Sequence, residues 1–356
     1  MESKAQILGR SLKVPIVQEL AKEKLSSVPS RYIRPDHQHL TAADVSSLPQ
    51  IPVIDMQKLL LSDSMDSELH RLHEACLDWG FFQLINHGVE AAPIAKMRSE
   101  MTAFFNLPPE EKDVFRQKED DVEGYGQAFV TSQEQKLDWA DLFFVLTSPP
   151  YLRKPHLIPK LPASFRDAID EYGADLRNLA MKILGYMAKA LGMKGEEMRS
   201  AFDEGTQAMR MNYYPPCPQP ELVTGLCPHS DAVALTILLQ VNDMSGLQVS
   251  KDGKWIPVSP LPHAFVINVG DILEIMTNGA YRSVEHRATV NSEKERLSIA
   301  TFLSTRLDGD IGPAPSLVSP ETPAKFKTIS AVEYVTGLFA KELKGKSYVD
   351  LMRIQN

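Results

Sequence analysis

The chain predicts an α+β fold: a β core, built as a sandwich or jelly roll, flanked by N-terminal and C-terminal helices. Three observations predict it. Up to about residue 205 the apolar residues recur mostly at helical spacing, and beyond it the chain breaks into short runs of β-formers punctuated by turn residues. The last fifty residues then return to helical spacing. Several short antiparallel strands within about a hundred residues bury their inner faces by forming a sandwich or a jelly roll.

Residues 1–50 read as a polar extension with one amphipathic patch, "VPIVQELAKEKL", expected to dock on the body as a helix. The region 51–160 mixes strands and helices. "IPVIDM" is a β-branched strand; "DSELHRLHEACLDWG" sets Leu69, Leu72, Cys76 and Trp79 near helical spacing, and Gly80 stops it. "FFQLINHG" is a second strand, "APIAKMRSEMTAFFNL" a helix with Ile94, Met97, Met101 and Phe104 on one stripe, and "LPPEEK" opens another helical turn. Within 161–204, Phe165, Ile169, Tyr172, Leu176, Leu179, Ile183 and Met187 form the longest unbroken 3.6-residue period, a helix backing the core. From 205 to 306, "AMRMNYYP", "ALTILLQV", "GLQVSKDGKWIPVSP", "AFVINVGDILEIMTNG", "RSVEHRATV" and "RLSIATFLS" read as strands, with turns at Asp252-Gly253, Gly270-Asp271 and Asn278-Gly279. Residues 307–356 contain the helical "SAVEYVTGLFAKELKG", whose stretch around Val332 to Lys341 is expected to cover the mouth of a cavity.

Composition narrows the partners. The 356 residues, 43% hydrophobic and 24% charged, suit a soluble globular protein of one large or two small domains. A formal net charge of -8 argues against nucleic acid, which is usually met by a basic face. The first 25 residues scatter charges too densely for a signal peptide, and no segment resembles a membrane span, so no membrane partner is expected. Cys76, Cys217 and Cys227 form no CxxC pair, which fits reduced thiols and a cytoplasmic address. A monomer acting on a small molecule is the expectation.

Strand alternation places residues i and i+2 on one face, and three runs of the β region use that spacing for polar pairs: Asn212 with Tyr214, His229 with Asp231, Arg296 with Ser298. On an otherwise apolar inner face such pairs point into one cavity, where each needs a partner. Two histidines and one carboxylate form the facial ligand set of non-haem Fe(II) oxygenases. His286, in the β region beyond the Asn278-Gly279 turn, qualifies as the second histidine. The plainer alternative is hydrogen bonding at strand ends. Ten positions beyond His286, Arg296 has the planar fork that takes a carboxylate in two parallel hydrogen bonds, the alternative being an interstrand salt bridge. His70 and His73, three apart on a helix, read instead as a solvated or half-buried helix face.

The combination of "MNYYPPCPQP", "HSD", "VGDILEIMTNG", "YRSVEHR" and "ERLSIATF" with "IPVIDM" and "DWGFFQLINHG" resembles the plant Fe(II)/2-oxoglutarate-dependent dioxygenases of specialised metabolism over nearly the whole chain. "DVEGYGQAF", "KLDWADLFF", "LRKPHL" and "QAMRMNYYPPCPQP" are most similar to the group of thebaine 6-O-demethylase, codeine O-demethylase and their senescence-related relatives. The resemblance implies a double-stranded β-helix (jelly roll, cupin-like) core. It implies Fe(II) at His229, Asp231 and His286, with Arg296, Ser298 and Tyr214 on the distal carboxylate of 2-oxoglutarate and Asn212 near its metal-binding end. It also implies O2 as cosubstrate, ascorbate as reductant, and Tyr125 and Phe302 in the substrate pocket; with the apolar Leu303 these suggest a flat or polycyclic substrate, the alternative for each being that it completes the β core. The implied reaction is hydroxylation, O-demethylation or desaturation/ring closure of an alkaloid, flavonoid or terpenoid, with release of succinate and CO2. The alternatives are an ascorbate-dependent iron oxidase that does not use 2-oxoglutarate and a non-catalytic metabolite-binding protein.

Overall fold

The β-forming runs assemble into two facing sheets. The computed structural model describes residues 11–23, 25–34, 48–118, 121–127, 130–339 and 345–355. Its strands are β1 (Val53–Asp55), β2 (Phe81–Ile85), β3 (Gly124–Gly126), β4 (Asp141–Ser148), β5 (Gln207–Tyr214), β6 (Leu226–His229), β7 (Leu235–Gln240), β8 (Leu247–Lys251), β9 (Lys254–Pro257), β10 (Phe265–Val269), β11 (His286–Ala288) and β12 (Arg296–Leu303). The larger sheet runs β1-β2-β10-β7-β12-β5-β4-β3 and the smaller β6-β11-β8-β9; a short pair, β13 (Asp310–Ile311) and β14 (Ile329–Ser330), lies outside both. This is the α+β jelly roll with flanking helices that the sequence predicts.

Register separates the two faces of the larger sheet. Residues directly opposite one another on paired strands share a face, so Tyr125, Phe143, Met211, Ile299 and Leu239 make one cross-strand row. All five belong to the main hydrophobic core. The helix Ala163–Leu191 contributes Phe165, Ile169, Tyr172, Leu176, Leu179, Ile183 and Met187 to that core, as its period predicts. Alternate positions, including Arg210, Asn212, Tyr214, Arg296, Ser298, Ala300 and Phe302, line a cavity between the two sheets. One face is therefore sealed by helices and the other left for chemistry.

Three local expectations change. "GDILEIM", read as strand, is the helix Asp271–Met276: its buried Asp271 and Glu274 are held by tertiary partners, a signal that strand-forming Ile and Leu conceal. The chain from Gly80 back to Ala75 is a π-turn that closes the helix Ser62–Glu74, with Gly80 in the left-handed region at φ 59°. The helix expected there is Ala331–Phe339, with a second, Ser347–Met352, after it; none of the described side chains of the first lines the cavity, and Lys341, expected beside it, lies outside the described residues, as do residues 1–10, 24 and 35–47.

One carboxylate of the body starts the helix of the N-terminal extension. The helix Val17–Lys22 starts where Asp141 on β4 accepts hydrogen bonds from the Val17 N–H at 2.9 Å and the Gln18 N–H at 2.6 Å. A carboxylate there satisfies two donors that the first turn of any helix leaves open. Asp141→Asn replaces one acceptor oxygen by a donor and leaves a buried N–H without a partner. Urea denaturation should show a stability loss of about 1–3 kcal/mol.

Candidate active site

A buried carboxylate and two imidazoles meet at one point of the cavity. His229 is the last residue of β6 and His286 the first of β11, and the two are register partners with ring centroids 4.3 Å apart. Asp231 lies in the connection from β6 to β7 rather than on a strand, so a turn and not strand alternation brings it beside His229. That turn needs Gly270, where an added Cβ would stand 2.1 Å from the Val233 carbonyl oxygen. The Asp271 N–H donates to the Asp231 carbonyl at 2.7 Å and fixes the turn to the following helix.

Each of the three side chains has one heteroatom committed and one turned inward. His229 Nδ1 is 2.8 Å from the Cys227 carbonyl and His286 Nδ1 is 3.2 Å from the Val284 carbonyl, contacts that require Nδ1–H and leave Nε2 as a lone pair. Those Nε2 atoms lie 3.5 and 3.7 Å from Asp231 Oδ1. The other carboxylate oxygen, Oδ2, accepts from the Thr236 hydroxyl at 2.6 Å and the Asn268 amide at 2.8 Å. Burial alone would raise the pKa of Asp231, but His286, His229 and the Thr236 hydroxyl together hold it well below the usual carboxylate range. Burial and the neighbouring His229 push His286 down to about 4, against the opposing pull of Asp231. A carboxylate anion and a neutral imidazole are the forms that bind a divalent metal. With ligand atoms all within 4.8 Å of one another, the set fits Fe(II).

The other end of the cavity is cationic. Arg296, 2% exposed, has no carboxylate partner among the described residues; its Nη2 donates to Gln240 Oε1 at 3.0 Å and its Cζ sits 5.1 Å from the centroid of the Tyr214 ring. Burial pushes its pKa down, with Tyr214 opposing. Asn212 donates to the Ser298 hydroxyl at 3.4 Å, while Asn212 Oδ1 and the Nε atoms of Arg210 and Arg296 are buried without hydrogen-bond partners. A buried guanidinium without an anion is costly unless a ligand supplies one.

The structure brings His229, Asp231, His286, Asn212, Tyr214, Arg296, Ser298 and Phe302 to this one cavity and keeps two expected residues out of it. Tyr125 faces the helix side of the larger sheet, in contact with Phe104 at a ring-centroid distance of 5.9 Å and beneath Lys112. Leu303 follows Phe302 on β12 and so points to the opposite face, into the main core. Strand parity counted from Arg296 and Ser298 already separates Phe302 from Leu303. Sequence reasoning missed Thr236, Asn268, Gln240 and Arg210. Arg210 was legible by the same parity from Asn212, and Thr236 as a polar residue inside the apolar run "ALTILLQ". His73, expected on a solvated or half-buried helix face, is half-buried with Nδ1 2.9 Å from the Tyr281 hydroxyl.

Comparison with known proteins points the same way. Residues 205–305 match the family described as the 2OG-Fe(II) oxygenase superfamily, and residues 51–162 the one described as non-haem dioxygenase in morphine synthesis N-terminal. The chain is 68% identical to oxoglutarate-dependent flavonoid 7-O-demethylase 1 of Ocimum basilicum, over 100% of this chain and 94% of that protein. It is 50% identical to thebaine 6-O-demethylase of Papaver somniferum, over 99% and 100%. The crystal structure of JOX2 in complex with 2OG, Fe, and JA superposes with a TM-score of 0.87 at 38% identity, covering 97% of this chain and 99% of that one.

Two substitution pairs test the placement. Asn268→Leu and Thr236→Val free the second oxygen of Asp231 and should each weaken Co(II) binding by about 10-fold or more in a titration of metal-stripped protein. Leu303→Ala should cost about 2–5 kcal/mol of stability by opening the core and leave KM for the organic substrate unchanged. Phe302→Ala should do the reverse, raising that KM with little loss of stability.

Proposed function

From the premise that this chain belongs to the 2OG-Fe(II) oxygenase superfamily, we propose that it removes a methyl group from a methoxylated flavonoid. It is a 2-oxoglutarate-dependent dioxygenase that uses Fe(II), 2-oxoglutarate and O2 on a small molecule. One observation carries the choice of reaction: the 68% identity, over the full chain, with a flavonoid 7-O-demethylase. Two further O-demethylases, of thebaine and codeine, match at 50%.

The residues divide the work. His229, Asp231 and His286 would hold the metal through the two Nε2 atoms and Oδ1. Arg296, with Ser298 and Tyr214, would take the carboxylate of 2-oxoglutarate far from the metal, and Asn212 would steady the nearer end. Bound iron with 2-oxoglutarate and O2 supplies an oxidant able to break a methyl C–H bond, the cosubstrate leaving as succinate and CO2. A methoxy carbon that gains a hydroxyl becomes a hydroxymethyl ether, which releases formaldehyde and leaves a free hydroxyl. No acid or base side chain is needed at that carbon, so orientation decides the product. Phe302, Phe81 and Leu238, all lining the cavity, give a flat ring system an apolar wall and help to keep water from the reacting carbon.

Arg296, buried with no carboxylate partner among the described residues, favours this reading over an oxidase that dispenses with 2-oxoglutarate. Ascorbate would serve as reductant. Cys76, Cys217 and Cys227 are free thiols, which supports a reducing, cytoplasmic compartment, and a monomer remains the expectation; among the described residues no helix is long and apolar enough to cross a membrane.

Incubation with methoxylated flavones, Fe(II) and 2-oxoglutarate should yield succinate and formaldehyde in equal amounts and a product lighter by CH2. A product that keeps its methoxy groups and gains oxygen would replace demethylation by hydroxylation; succinate that never rises above the substrate-free rate would remove flavonoids as the substrate class. Arg296→Ala should raise KM for 2-oxoglutarate by roughly 30-fold or more, the ~2–5 kcal/mol lost with one partner of a buried charge pair. An unchanged KM would remove Arg296 as the partner of that carboxylate, and turnover that needs no 2-oxoglutarate would favour the oxidase.

A further inference from the structure

The end of the chain reaches the metal centre through its backbone. β6 is the edge strand of the smaller sheet, paired with β11 on one side only. On its open side Gly345 forms a parallel bridge with His229. The Gly345 N–H donates to the Pro228 carbonyl at 3.0 Å, and its carbonyl accepts from the Ser230 N–H at 3.1 Å and the Ser230 hydroxyl at 3.4 Å. The residues before and after the imidazole-bearing one are thus both tied to a single residue from the C-terminal segment. Gly345 has φ +52°, a left-handed conformation, and an added Cβ would stand 2.5 Å from Glu285 Oε1.

The next residue locks that contact. Lys346 Nζ donates to Glu274 Oε2 and to the Ser283 carbonyl, both at 2.6 Å. Glu274, whose side chain is 2% exposed, also accepts from Arg353 at 2.6 Å through Oε1 and from the Ser283 N–H at 2.8 Å. The Ser283 hydroxyl bonds Asp271, whose other oxygen accepts from the Ser230 hydroxyl at 3.1 Å. One polar network therefore links Lys346 to the residue after His229 and to the loop that leads into His286. None of its members ligates the metal or lines the cavity. An edge strand without a second partner would have to be ordered by the incoming metal, at a cost in affinity; a strand already held needs no such ordering.

We propose that Lys346, locked onto Glu274, is a positioning residue for the iron ligand His229, so that metal affinity depends on the seating of the C-terminal segment. This rests on His229 being a ligand, and the experiment separates the two claims. Full-length, metal-stripped protein is titrated with Co(II), followed by its visible absorption, and amide hydrogen exchange is read at Ser230. Lys346→Met should bind Co(II) about 10-fold more weakly, with altered visible bands and faster exchange at Ser230, and Lys346→Arg should restore all three. Asp141→Asn, remote from the network, should retain wild-type Co(II) affinity at a comparable loss of stability. Unchanged affinity in Lys346→Met, or an equal loss in Asp141→Asn, would overturn the positioning role, whereas a wild-type chain that binds no Co(II) would overturn the ligand reading itself. Should Lys346→Met fail to fold, Lys346→Gln, which removes the charge facing Glu274 and keeps a polar side chain, is read in the same way.

Discussion

The carboxylate of Asp231 is a buried negative charge, and much of the structure serves to keep it partnered without using it up. Thr236 on β7 and Asn268 on β10 occupy one oxygen, so the larger sheet supplies the support. The histidines come from β6 and β11 of the smaller sheet and face the other oxygen. The centre thus lies between the two sheets, and neither could build it alone. Each imidazole is also tied through Nδ1 to a carbonyl, which would hold its ring in place as a metal ligand.

Charge is divided along the cavity in a way that suits a dianionic cosubstrate. The carboxylate of Asp231 and the metal it would hold lie at one end; Arg296, with no anionic partner among the described residues, lies at the other, backed by the Tyr214 ring and by Gln240. A 2-oxo acid with a second carboxylate satisfies both ends at once. The apolar residues between and beside them, Leu238, Ala300 and Phe302, leave the organic substrate to be selected by shape and stacking. Motifs of this kind therefore specify a class of reaction more tightly than a substrate.

The sequence carried much of this plan because strand parity is a local property. Arg296, Ser298 and Phe302 fall on one face by counting in twos, and so do Asn212 and Tyr214, with no knowledge of what they face. The same count places Leu303 with the core, and it shows why adjacency to Phe302 is a poor guide to lining the same cavity. Tyr125 is a different case. Its row through Phe143, Met211 and Ile299 exists only once β3, β4, β5 and β12 are in register, and nothing within "GYG" states which side of a sheet edge the ring will take.

By itself the sequence determined the β core with its helical backing and offered His229, Asp231, His286 and Arg296 as candidates, since these follow from residue type, periodicity and motif. Only the tertiary structure decided how these are held. The division of Asp231 between Thr236 and Asn268, the helix in "GDILEIM" and the return of Gly345 to the flank of His229 all join segments distant in sequence. Such joins form where buried polar groups must find partners in three dimensions, and periodicity along a chain carries no record of which distant group will be within reach.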